Sequence, residues 1–113
     1  MTDCLFCKIV AGDIPSTKVY DDESVYAFKD IDPQAPVHVV IVPKAHYGSI
    51  LEVPAGDDII AKIHVAAKCI AADVGLTEEG FRLVTNFGEA GGQTVPHLHY
   101  HLLGGRSMQW PPG

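Results

Sequence analysis

The chain has 113 residues and a mass of 12.1 kDa, enough for one hydrophobic core and too little for two. Apolar residues make up 47% and charged residues 19%, the balance of a folded globule rather than a disordered segment. A net charge of −6 argues against a broad grip on nucleic acid or anionic membrane, but leaves room for a small phosphate pocket.

No apolar run is longer than Val39-Val40-Ile41-Val42, which cannot span a bilayer. The opening Met1-Thr2-Asp3-Cys4-Leu5 has neither the cationic lead nor the apolar stretch of a secretory signal. The expectation is a soluble, cytoplasmic, single domain over residues 1–113.

Residues 4–10 (CLFCKIV) read as a short helix or turn, ended by Gly12, Asp13 and Pro15. Cys4 and Cys7 within it form C-x-x-C, a spacing that suits a metal chelate or a redox pair. The redox use normally sits in a thioredoxin-like βαβ setting, and none is visible. Three cysteines are an odd count that suits a reducing compartment, with Cys69 expected as a small core residue of a helix.

Lys18–Tyr20 and Val25–Lys29 read as strands around the turn Asp21-Asp22-Glu23-Ser24. Asp32-Pro33-Gln34-Ala35-Pro36 is a restricted loop, and Val37–Val42 a buried β-branched strand closed by Pro43. From about Asp57 to Val74, Ile59, Ile63, Ala66, Ala67, Ile70 and Val74 recur at helical spacing as one apolar face, and Gly75 ends it. His64 within it is a surface residue. Phe81–Asn86 and Leu98–Leu103 complete the strands, with the glycine-rich Gly88–Thr94 between them. Only one connection is long enough for a crossover helix, so the class is α+β: an antiparallel sheet of about five strands with one long and one short helix.

His97-Leu98-His99-Tyr100-His101 alternates, so on a strand its three imidazoles share one face, roughly 7 Å apart. Such a row suits a metal site, or phosphorus chemistry in which one histidine attacks while its neighbours hold oxygens and manage protons. Gly91 and Gly92 leave backbone N–H groups open to an anion and Thr94 adds a hydroxyl, which favours the phosphate.

These residues resemble the histidine triad (HIT) superfamily, and within it the Hint branch of nucleotide-binding phosphoramidases. The resemblance rests on His97–Leu103 with Gly104-Gly105-Arg106, on Gly91-Gly92-Gln93-Thr94, and on Asp30–Pro36 with His38. It rests also on Ile41-Val42-Pro43-Lys44 with His46 and on Trp110-Pro111-Pro112-Gly113. It implies that His99 attacks the α-phosphorus of an adenosine 5′-phosphoramidate, forming a nucleotidyl-histidine that water hydrolyses. His101 would bind phosphoryl oxygens, His38 would orient and relay protons, and His97 would support the site. The group that protonates the leaving amine stays open.

By the same resemblance, Asp30 and Ile31 meet the ribose and base, Phe6, Ile9, Phe28 and Val40 line the base pocket, and Asn86, Gln93 and Thr94 surround ribose and phosphate. Familiar branch members carry serine where this chain has Thr94, so the hydroxyl is kept and a methyl added. The resemblance further implies a homodimer whose sheet continues across the subunits, with Trp110 reaching the partner's site, and a purine nucleoside monophosphate or phosphoramidate as ligand. Some members bind zinc through the positions of Cys4, Cys7, His46 and His97, a closed Cys₂His₂ set and therefore structural, with no metal required for catalysis. The rival readings are a dinucleoside polyphosphate hydrolase or nucleotidyl transferase of the same superfamily, a nucleotide-binding interaction module with incidental hydrolysis, and a His₃ metal hydrolase.

Overall fold

Lys18–Asp21 (β1), Val25–Lys29 (β2), Val37–Pro43 (β3), Phe81–Thr85 (β4) and Tyr100–Gly104 (β5) form one antiparallel sheet in the order β1-β2-β3-β5-β4. They belong to a computed structural model that describes residues 3–113. Three helices accompany the sheet: Leu5–Ala11 (α1), Ile59–Asp73 (α2) and Gly88–Gly91 (α3). A 3-10 turn spans Ile50–Glu52. No helix among the described residues is long and apolar enough to cross a membrane.

The two faces of the sheet are covered differently. On one, Val25, Ala27, Val39, Ile41, Tyr100 and Leu102 pack with Leu98 against Ile59, Ile63, Ala66, Ala67 and Ile70 of α2. Each isoleucine buried there contributes roughly 1.5–3 kcal/mol. On the other, Phe6 and Ile9 of α1 close over Tyr26, Phe28, Val40 and Val42, which lie on β2 and β3. The β5–β4 half of that face stays open, and the site forms along this boundary.

Local chemistry fixes the element ends. Cys4 caps α1, its Sγ accepting from the Cys7 N–H at 3.3 Å, and Gly12 closes the helix at φ 86° in the left-handed region that favours glycine. Asp22 Oδ1 accepts from the Ser24 and Val25 N–H groups and shapes the β1–β2 turn. Asp57 Oδ1 accepts from the Ile59 N–H, and its Oδ2 from the Tyr47 hydroxyl, at the start of α2.

Several boundaries and burials differ from the sequence-based expectation. The long helix covers Ile59–Asp73, and Val74 is its C-cap, 37% exposed rather than part of the apolar face. Cys69 is exposed, because the buried stripe runs through Ile63, Ala66, Ala67 and Ile70 and leaves the positions of Val65 and Cys69 outside it. The fourth strand stops at Thr85. The fifth begins at Tyr100, not Leu98, because the backbone before it is bonded elsewhere: the Leu98 N–H to the Tyr47 carbonyl and the His97 N–H to the Val95 carbonyl. The glycine-rich connection holds a helical turn, α3, followed by Gly92 at φ 83°.

Candidate active site

His101 lies on β5, and His97 and His99 approach it in irregular backbone. The alternation nevertheless persists, with Leu98, Tyr100 and Leu102 in the core against α2 and the histidines on the opposite side. Phe6 stands edge-on to both His97 and His99, with ring centroids 5.9 and 5.0 Å away. The three histidines nevertheless divide between two sites.

Hydrogen-bond partners assign a tautomer to each ring. His99 Nδ1 lies 2.7 Å from the His97 carbonyl oxygen, which can only accept, so Nδ1 carries the proton and Nε2 keeps a free lone pair. The ring is 5% exposed, and burial holds it below its ordinary pKa of 6.5, which favours the neutral form. The Thr85 hydroxyl donates to the His99 carbonyl at 2.8 Å and fixes the backbone of the same residue.

A second chain of bonds defines His38 and His101. The Gln34 backbone N–H donates to His38 Nδ1 at 3.0 Å, so the His38 proton sits on Nε2. That N–H faces His101 Nδ1 at 2.9 Å and Asp30 Oδ2 at 3.3 Å. His101 therefore accepts through Nδ1 and presents Nε2–H as a donor. Burial, then the neighbouring His99 and His38, push its pKa down to about 4, so it is neutral near pH 7. Asp30, His38 and His101 bring their ligand atoms within 4.8 Å of one another. With Gln34 occupying Nδ1, however, Nε2 of His38 is a donor and not a metal ligand, and the three side chains form a hydrogen-bonded chain.

One cavity of about 270 Å³ gathers most of the expected substrate contacts: Phe6, Ile9, Phe28, Asp30, Ile31, Val40, Thr94, His99 and His101. Ile31, at 99% exposure, is an open rim rather than a wall. Asn86 lies in a second cavity of about 420 Å³ with His38, His101, Arg82 and Arg106. The Gln93 amide is used within the fold, donating to the Gly48 and Val95 carbonyls at 2.9 and 3.0 Å. Trp110 is 80% exposed, with the Arg82 guanidinium 6.0 Å from its ring centroid, and is not among the residues lining the His99 cavity.

The expected metal set also converges. Cys4 Sγ lies 3.2 Å from His97 Nδ1, Cys7 Sγ 3.3 Å from His46 Nδ1, and the two Nδ1 atoms 3.1 Å apart. His97 Nε2–H donates to the Pro43 carbonyl at 3.0 Å, which leaves Nδ1 as a bare lone pair directed at both thiols. Two thiols and two imidazoles, all within 4.8 Å, fit a tetrahedral Zn²⁺ with no open position.

Sequence reasoning passed over Gln34, Thr85 and the Pro43 carbonyl, which set the ring tautomers and the backbone of His99. Their roles arise from cross-strand register and backbone direction, and no residue pattern marks them.

The HIT domain family model matches residues 11–108. A solved HIT family hydrolase from Legionella pneumophila Philadelphia 1 is 52% identical with a TM-score of 0.96, over 98% of this chain and 100% of that one. A 14 kDa zinc-binding protein of Brassica juncea is 47% identical over 114 residues, covering 98% of this chain and 100% of the relative. A protein of Arabidopsis thaliana named adenylylsulfatase HINT1 is 46% identical over 112 residues, 96% of this chain and 76% of its own length.

Proposed function

The chain belongs to the HIT family, in its Hint-like branch, and from that premise we propose that it is a hydrolase of nucleoside 5′-phosphoramidates acting through a nucleotidyl-histidine on His99. The observation that carries this reading is the His99 tautomer: a buried, neutral imidazole with Nδ1–H on the His97 carbonyl and a free Nε2. Nε2 attacks the α-phosphorus, the P–N bond breaks, and the nitrogen leaves with its electron pair and takes up a proton. Water then attacks the nucleotidyl-histidine and returns His99 to its starting form.

His101 Nε2–H is available to a phosphoryl oxygen, where negative charge grows in the transition state. His38 passes a proton along the Asp30–His38–His101 path. The apolar walls of the 270 Å³ cavity suit a nucleobase, and Asp30 suits ribose hydroxyls. Zinc, held by Cys4, Cys7, His46 and His97, would supply structural closure only; the zinc-binding relative supports that assignment. The exposed Trp110 supports a homodimer in which this tail meets the partner.

The test compares the wild type with His99→Ala on an adenosine 5′-phosphoramidate bearing a fluorescent amine, with adenylylsulfate as a second substrate because a relative is named for it. Acid quenching during turnover should trap a nucleotidyl adduct on His99 in the wild type alone. Turnover that survives in His99→Ala removes the nucleophile assignment. Nucleotide binding without turnover in the wild type leaves a binding module.

A further inference from the structure

We infer that Ser16, oriented by Tyr26, reads the edge of the nucleobase and selects purines that carry a hydrogen-bonding group at position six; this rests on the nucleotide reading above. Phe28, Val40 and His101 stand opposite one another in the register and make a single row across β2, β3 and β5. Two strand spacings, roughly 10 Å, therefore separate the His101 end of the cavity from its β2 side. That distance is comparable with the reach from a 5′-phosphorus to the far edge of its base.

Ser16 lines the cavity and immediately precedes Thr17, whose carbonyl accepts from the Lys29 N–H at the end of β2. Its hydroxyl lies 2.9 Å from the hydroxyl of Tyr26, also on β2. The other polar lining residues are Thr94, His99 and His101, and the adjacent pair Lys29 and Asp30. Ser16 is the one polar side chain on the remainder of an otherwise apolar wall.

The hydroxyl pair can work in two directions. When Tyr26 donates to Ser16, the Ser16 proton is free to donate to a 6-oxo group. When Ser16 donates to Tyr26, its remaining lone pair accepts from a 6-amino group. Adenine and guanine are thus both served, whereas a purine with hydrogen at position six leaves the pair without a ligand partner. One neutral hydrogen bond at such a place changes affinity by about three- to tenfold.

The experiment is calorimetric titration of the full chain with AMP, GMP and purine riboside 5′-monophosphate, using wild type, Ser16→Ala and Ser16→Thr, each checked by circular dichroism. The wild type should bind AMP and GMP three- to tenfold tighter than the unsubstituted analogue. Ser16→Ala should abolish that difference by weakening only AMP and GMP, and Ser16→Thr should restore it. Equal weakening of all three ligands in Ser16→Ala, or none, overturns the assignment. Failure of the wild type to bind any of the three overturns the nucleotide reading itself, and this inference with it.

Discussion

The His97 carbonyl oxygen accepts a hydrogen bond from His99 Nδ1–H at 2.7 Å while the His97 ring faces Cys4, Cys7 and His46. One residue therefore touches both sites, its side chain in the Cys/His cluster and its backbone on His99. The cluster also holds the first turn of α1, whose Phe6 packs edge-on to His99.

Metal removal should accordingly act on the fold first and on chemistry second. A chelator, or Cys7→Ser, is expected to lower the melting temperature by several degrees and to weaken AMP binding, with slower but persistent turnover. Calorimetric melting beside metal analysis decides the matter. A melting temperature unchanged by both treatments means that the cluster holds no ion.

Acid should destabilise the protein well above the carboxylate range. His101 titrates at about 4 in the fold against an ordinary 6.5, so unfolding takes up a proton between those values. This contribution is fully present above 6.5 and is lost as pH falls toward 4. Buried His99 is shifted in the same direction. Melting temperature followed down this window should fall steadily, and His101→Asn should flatten the slope; a flat wild-type profile contradicts the assignment.

Replacing His38 by Ala strands three partners at once: the Gln34 N–H, His101 Nδ1 and Asp30 Oδ2. We expect kcat to fall by about 10²–10⁴ with KM changed far less, because the path acts on protons and not on the nucleoside. Steady-state kinetics on the fluorescent phosphoramidate would show it. A rise in KM at constant kcat would recast His38 as a binding residue.

Gly104 is a packing position. A Cβ there would meet Leu76 Cδ1 and Cδ2 at 2.6 Å, and Leu76 is 5% exposed. Gly104→Ala should cost about 1–3 kcal/mol in urea denaturation, with kcat of the folded fraction retained. An unchanged midpoint would mean that Leu76 has room to turn away.

Periodicity carried the sheet and the long helix, since β-branched runs and a three- and four-residue apolar step leave few alternatives. It also carried the histidine row, because alternation survives even where His97 and His99 leave regular strand. It misjudged Cys69, where an apolar residue beside the stripe is indistinguishable from one within it until the helix is docked. Placement around the sheet was hidden as well. Nothing local tells that Asn86 faces a different cavity from Phe28, or that the Gln93 amide turns inward to Gly48.

The strand order has a kinetic consequence. β1, β2 and β3 are sequential neighbours and can pair by short-range closure, but β4 has no partner in the sheet except β5. The last strand in the sequence is thus inserted between β3 and β4, closing a loop that begins before residue 44 and ends at residue 100. Such a distant pairing carries a larger loop-closure entropy cost than the short connections between β1, β2 and β3. Until it is made, His38 and His101 have no common strand register, so the hydrogen-bonded chain Asp30–His38–His101 depends on the last strand to be completed.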